Sequence, residues 1–156
     1  MDYNTQPAPY NQYDPYSQQS QPARPAIQLP TNRGLLKFIL LTIITFGIYG
    51  LVVWCKLSTE INTTASKYDG KSTMHYIVMV ILTCITCGIF SLIWFHQYSA
   101  RVGAELRRRN IAYSFDASDF WIWFFLGSLI VLGPLVYLHK VLKAQNLINE
   151  HYNTYG

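Results

Sequence analysis

Two cysteines, Cys84 and Cys87, stand three positions apart within an apolar run. A CxxC spacing occurs in redox pairs and in half of a zinc site, because both uses need two thiolates close together. Zinc takes about four ligands, yet the only other thiol is Cys55, and the run's only histidines, His75 and His96, stand at its ends. Small side chains spaced four apart also let helices approach closely. We therefore predict that the pair packs helices and holds neither metal nor cofactor.

Basic side chains form the second candidate site. Arg107, Arg108 and Arg109 follow one another, and such a run either contacts lipid headgroups or marks the side of a membrane on which the segment ends. His96 and His139 each follow an apolar run, where they are either solvated at an interface or sensitive to pH. We find no nucleophile–base pair and no phosphate-binding loop, so we predict no catalytic residues.

The elements that carry these residues are long apolar segments. Charged residues make up 13% of the 156 residues, against about 25% in an average soluble domain. No Asp, Glu, Lys or Arg occurs in 38–55, 74–96 or 120–138. A helix needs about 20 apolar residues to cross a bilayer, so we predict membrane segments at about 35–55, 75–96 and 119–138. None has an ionisable residue at its centre, which disfavours a transporter.

Residues 1–32 differ in composition from the remainder. They are rich in Gln, Pro, Asn, Ser and Tyr, and such a sequence has too little apolar surface to offset the entropy of ordering. We predict a disordered leader at 1–32 and a membrane domain at 33–152. The net charge of +4 indicates basic flanks facing anionic lipid, with no nucleic-acid partner.

A short phrase is repeated in the chain. ITFGIY at 44–49 aligns with ITCGIF at 85–90, and a weaker copy, LGPLVY, lies at 132–137. The central glycines are 41 and 45 positions apart, and repetition at a similar interval indicates one structural unit used several times. Each copy is followed by a helical stripe of apolar residues, which predicts an amphipathic arm. The central Gly47, Gly88 and Gly133, with Pro134, are predicted to be helix-packing or kink positions.

The repeated phrase, followed by Trp54-Cys55-Lys56-Leu57 and a polar helix, resembles a bacterial family of small integral-membrane proteins, domain of unknown function 4234. The resemblance covers roughly Arg33 to Asn149. It implies a multi-pass location in the cell membrane and carries over no catalytic residues.

These observations predict an all-α integral membrane protein. It has three hydrophobic helical segments in a quasi-repeat, each followed by an amphipathic helical arm, with the N-terminus inside and the C-terminus outside. An alternative geometry turns each segment back at its glycine as a hairpin. The predicted function is a non-catalytic adaptor or assembly component that contacts the lipid bilayer and associates with itself or with another membrane protein. The alternative is a subunit of an oligomeric pore or transporter, whose path is lined by Thr42, Thr45, Thr83 and Thr86.

Overall fold

The computed structural model describes residues 24–156, which fold into helices and connecting loops with no strand. The helices are α1 (Leu35–Ile44), α2 (Ile48–Asp69), α3 (Tyr76–Ile85), α4 (Ile89–Arg108), α5 (Ala117–Asp119) and α6 (Gly133–Tyr155). A π-helical turn, Phe120–Phe125, and a 3-10 helix, Leu126–Ile130, join α5 to α6. The all-α part of the predicted fold is confirmed.

The helices form three hairpins, each made of a short apolar element, a reversal and a long arm. Hairpin 1 is α1 and α2, hairpin 2 is α3 and α4, and hairpin 3 is the 117–130 segment and α6. The arms α2, α4 and α6 pack on one another around the core. The fully buried core residues of the arms include Leu57, Ile61, Tyr98, Val102, Val141 and Ile148.

The arms α2 and α4 run parallel. Near their N-termini the rings of Trp54 and Trp94 lie 6.3 Å apart. Farther along, the guanidinium of Arg109 donates a hydrogen bond to the carbonyl oxygen of Thr64 at 3.2 Å. Because the contacts advance along both helices together, the two reversals lie at the same end.

The third arm runs in the same direction. The rings of Phe95 and Tyr137 lie 6.4 Å apart near the start of α6. Toward its end, a guanidinium nitrogen of Arg109 lies 2.9 Å from Nδ1 of His151. All three reversals therefore meet at one end of the bundle.

Local hydrogen bonds produce the reversal of hairpin 1. Phe46 and Gly47 both have positive φ, at 50° and 93°, and the amide of Gly47 donates to the carbonyl oxygen of Thr42 at 2.7 Å. This bond is the long bond of a Schellman motif, which ends a helix and turns the chain away. The hydroxyl of Thr45 then accepts a hydrogen bond from the amide of Tyr49 at 2.9 Å, which caps the start of α2.

Hairpin 2 repeats these bonds. Cys87 and Gly88 have φ of 49° and 94°, and the amide of Gly88 donates to the carbonyl oxygen of Thr83 at 2.9 Å. The hydroxyl of Thr86 accepts from the amide of Phe90 at 3.1 Å. The repeated phrase thus encodes a helix–helix reversal.

Hairpin 3 reaches the same result with a different backbone. A Cβ added to Gly133 would overlap Gly127 and the carbonyl oxygen of Trp123. The 117–130 segment and α6 therefore contact each other through these two glycines. Val131 has φ 48° at the reversal. Pro134 lies in the first turn of α6, where its missing amide removes no helical hydrogen bond.

The prediction of three membrane-crossing segments is wrong. Within residues 24–156, no helix has both the length and the apolar character that crossing a membrane requires. The reason is that each apolar run is divided at its reversal: α1 has 10 residues, or about 15 Å, which is half of a ~30 Å hydrocarbon layer. The predicted integral, multi-pass fold is therefore corrected to three hairpins. The predicted orientation, with the N-terminus inside and the C-terminus outside, depended on three crossings and is withdrawn as well.

The segment before α1 lies along α6. The backbone of Leu29 exchanges two hydrogen bonds with the side chain of Asn153, at 2.7 and 2.8 Å. The side-chain amide of Asn149 donates to the carbonyl oxygen of Pro30 at 2.7 Å. Residues 1–23, most of the predicted leader, lie outside the described residues, and its disorder and boundary stay predictions.

Candidate functional site: an apolar end with a polar collar

Large apolar side chains are exposed at the three reversals. Phe46 is 97% exposed at the first reversal, and Leu129 and Val131 are 86% and 80% exposed at the third. The surface that we call the apolar end consists of residues 43–48, 85–89 and 129–132. Its three parts lie at the same end of the bundle, because the reversals do. Exposed apolar surface gathered in this way marks a place where another apolar surface or a membrane binds.

A ring of polar side chains, the collar, follows along each arm. Lys56, His96 and His139 are exposed and stand seven to nine positions after the reversals of their hairpins. At the helical rise this places them about 10–13 Å below the apolar end. The side chain of Lys140 is next in the ring and forms an ion pair with Asp119.

Aromatic rings fill the layer at the depth of the collar. Trp54 stacks on Tyr76 with ring centroids 5.7 Å apart, and Trp94 stacks on Tyr98 at 5.1 Å. The indole of Trp94 donates to the carbonyl oxygen of Met74 at 2.9 Å, and the indole of Trp121 donates to Nδ1 of His96 at 3.0 Å. Such rings, apolar with one polar edge, suit the boundary between hydrocarbon and water.

Beneath the collar, a buried ion pair ties hairpin 1 to α6. Arg33 donates to both carboxylate oxygens of Glu60, and these side chains are only 9% and 7% exposed. The side-chain amide of Asn149 donates to the same carboxylate at 2.8 Å. The two charges are thus compensated inside the bundle.

A second buried charge lies between hairpins 1 and 2. The guanidinium of Arg101 donates to Asp69 at 2.8 Å, to Ser66 at 2.9 Å and to the backbone of Lys71 at 2.7 Å. Burial acts to raise the pKa of Asp69, but the hydrogen bonds from Arg101 and the Lys71 amide outweigh it and hold the pKa below its ordinary value.

The three consecutive arginines lie at the end of α4, about 30 Å from the apolar end. Arg107 is exposed and pairs with Asp116 at 2.6 Å. Arg108 and Arg109 both pair with Glu105 at 2.6 Å. Burial acts to raise the pKa of Glu105, but the two arginine hydrogen bonds lower it overall. Headgroup contact by these arginines stays a prediction, and Arg109 is buried among protein groups.

The predicted glycine positions are placed at or beside the reversals. Gly47 and Gly88 immediately precede α2 and α4, and Gly133 begins α6 with Pro134. Cys84 and Cys87 are exposed free thiols near the reversal of hairpin 2, and no group of three metal-binding side chains occurs within residues 24–156.

The threonines proposed to line a pore are engaged locally. The hydroxyls of Thr45, Thr83 and Thr86 each donate to a carbonyl oxygen four residues earlier, at 2.7 to 2.8 Å. Thr42 has a buried hydroxyl with no hydrogen-bond partner among residues 24–156. The pore alternative gains no support from these positions.

Sequence reasoning missed the buried ion pairs. Arg33 and Glu60 are separated by 27 positions, and Arg101 and Asp69 by 32. No local spacing connects such residues. One feature of the sequence could have indicated the first pair: the charged residue Glu60 interrupts the apolar stripe of α2, next to the core residue Ile61.

Comparison with known proteins gives one match. Residues 33–104, hairpin 1 and most of hairpin 2, match the family described as Domain of unknown function (DUF4234), which confirms the family named from the repeated phrase. No curated protein and no solved structure matches the chain.

Proposed function

Because residues 33–104 belong to the DUF4234 family, whose description assigns no activity, we propose a function from the geometry. The protein binds a lipid bilayer of the cell membrane by placing its apolar end in the hydrocarbon of one leaflet, without crossing it. There it acts as a non-catalytic adaptor or assembly component. The observation that carries the proposal is that three reversals bring their exposed apolar residues to a single end.

The depth of the apolar end agrees with one leaflet. The collar, at Lys56, His96 and His139, lies about 10–13 Å below the reversals, and half of a bilayer's hydrocarbon is about 15 Å. The polar ring and the aromatic layer would then lie at the headgroups when the apolar end is immersed, which is where both side-chain types are favourable.

The backbone at the reversal of hairpin 1 is also suited to the hydrocarbon of a bilayer. Backbone amides in hydrocarbon must be hydrogen-bonded within the protein. In hairpin 1, the amides of Phe46 and Ile48 donate to the carbonyl oxygens of Ile43 and Thr45, both at 3.1 Å. The amide of Gly47 donates within the Schellman motif at 2.7 Å, so the reversal leaves none of its amides to be satisfied by water.

The adaptor part of the proposal rests on the distance between the two ends. With the apolar end in the bilayer, the ends of the arms at Asp69, Arg108 and Tyr155 lie about 30 Å away in water. They are available there to a second copy or to another membrane-bound protein. Arg107, 64% exposed in its side chain, pairs within residues 24–156 with the 43% exposed Asp116, a surface ion pair of the kind that exchanges partners at little cost.

The test is flotation of purified protein with sealed phosphatidylcholine vesicles. Burying an exposed Phe or Val contributes roughly 1.5–3 kcal/mol, so Phe46→Asp and Val131→Asp are each expected to lower the partition coefficient by at least tenfold. Tyr155→Asp, which changes a residue 60% exposed at the opposite end, is the matched control and is expected to float like the parent. Equal flotation of all four proteins, or none by the parent, would contradict the proposal.

A further inference from the structure

A small basic cavity opens at the level of the collar, between the start of α1 and the outer face of α2. Its volume is about 140 Å³, and its charged lining residues are Arg33, Lys37 and Lys56, with no carboxylate. Arg33 is engaged by Glu60. Lys37 and Lys56 are exposed and make no ion pair with any residue of 24–156.

An open apolar groove of about 670 Å³ lies beside this cavity along α2. Its apolar wall is formed by Ile48, Leu51, Val52 and Cys55, and Ile77 of α3 lines it too. It begins at the apolar end, at Ile48. Val52 and Lys56 line both spaces, so the groove and the basic cavity adjoin at these side chains.

The one carboxylate in the groove, that of Glu60, is compensated. It accepts hydrogen bonds from Arg33 and Asn149 and is 5% exposed. Another cavity, beside α4, is larger than the basic cavity but has no uncompensated positive charge, because Asp69 lines it together with Arg101 and Lys71. Among these three spaces, the basic cavity is therefore the one that has positive charge without a facing acid, at Lys37 and Lys56.

We propose that this groove and cavity bind one anionic phospholipid taken from the bilayer. The phosphate lies between the ammonium groups of Lys37 and Lys56, and an acyl chain lies along the groove toward Ile48. The order of polarity, apolar near the reversal and basic at the collar, matches a lipid in the leaflet that the apolar end enters. The proposal deepens the proposed function and rests on it.

The bilayer is the source because the groove supplies a contact that a water-soluble phosphate lacks. Inorganic phosphate reaches only the two lysines, and exposed lysines alone bind a small anion weakly in salt. A phospholipid adds burial of its chain against Leu51, Val52 and Cys55. Inorganic phosphate is therefore not expected to displace it.

The first measurement compares vesicles of phosphatidylcholine with vesicles that also contain phosphatidylglycerol. Each lysine at an anionic surface contributes about fivefold in affinity. We expect Lys37→Gln/Lys56→Gln to weaken binding to the anionic vesicles roughly 25-fold, and to weaken binding to pure phosphatidylcholine by a smaller factor, because Lys56 also belongs to the collar. The control, Lys67→Gln/Arg107→Gln, changes the net charge equally at the other end of the arms and is expected to weaken binding less than threefold.

The second measurement detects the bound lipid directly, by native mass spectrometry of the detergent-extracted protein. Inorganic phosphate is present as a competitor for the two lysines. The parent and the control are expected to retain one phospholipid, and both Lys37→Gln/Lys56→Gln and the groove-filling Val52→Trp are expected to lose it. Retention of no lipid by the parent, equal retention by all variants, or equal weakening by the control would overturn the inference. Failure of the parent to bind phosphatidylcholine vesicles would overturn the proposed function instead.

Discussion

Replacing Arg33 by alanine removes one member of the buried ion pair that joins hairpin 1 to the segment preceding it. The side chains of Arg33 and Glu60 are 9% and 7% exposed, so Arg33→Ala leaves the Glu60 carboxylate buried with one donor, the amide of Asn149 at 2.8 Å. Breaking a buried pair from one side costs about 3–5 kcal/mol. With a urea dependence of about 2 kcal/mol per molar, the midpoint of unfolding falls by roughly 2 M.

The assay is urea unfolding followed by far-ultraviolet circular dichroism, with a matched arginine as control. Arg108→Ala also removes a carboxylate partner, but Arg108 is 36% exposed and Glu105 keeps Arg109 at 2.6 Å. We expect this control to cost less than about 1 kcal/mol. The double variant Arg33→Met/Glu60→Leu removes both charges and is expected to be more stable than Arg33→Ala. An Arg33→Ala protein as stable as the control would refute the reasoning.

Three further predictions concern the reversals and the charged end. Gly47→Ala, at φ 93°, is expected to lower the free energy of unfolding by about 1 kcal/mol or more, whereas Gly34→Ala, at φ −105°, is expected to be neutral or slightly stabilising; thermal melts compare the two. Thr86→Val removes the cap of α4 and is expected to cost about 1 kcal/mol, and an unchanged melting temperature would show that the cap contributes nothing. Asp69 has a lowered pKa in the fold, so its contribution is present above the ordinary value of 3.8 and is lost as the pH falls through the lowered value. A pH series of unfolding midpoints should therefore show less loss below pH 3.8 in Asp69→Asn than in the parent.

The repeated structural unit could be predicted from the sequence because the residues that form each reversal are close together in the chain. Each reversal is held by hydrogen bonds that join residues no more than five positions apart, at Thr45 and Gly47 in hairpin 1 and at Thr86 and Gly88 in hairpin 2. Their spacing is therefore visible in the printed chain. The amphipathic arms were readable for the same reason, since the buried positions of α2 recur at helical spacing, as Leu57 and Ile61 do.

The lengths of the helices were misjudged because apolar composition was given more weight than the glycine inside each run. A run of 18 uncharged residues satisfies the count for a crossing helix, yet Phe46 and Gly47 both take positive φ, and a helix cannot continue through two such residues. The parallel alignment of the arms was not readable. It depends on pairings such as Arg109 with Thr64 and Arg109 with His151, which join positions 45 and 42 residues apart.

The depth of Phe46 in a bilayer is the most direct test of the central claim. In a protein whose native cysteines are replaced by alanine, Phe46→Cys carries a fluorophore, and Tyr155→Cys carries the same label as a reference. The proteins are added to preformed sealed vesicles. We predict that nitroxide lipids quench the label at position 46, while aqueous quenchers, outside or trapped inside, do not reach it; the label at 155 is quenched only from outside. Quenching of position 46 by the external aqueous reagent would contradict insertion, and quenching by the trapped reagent would contradict a protein confined to one leaflet.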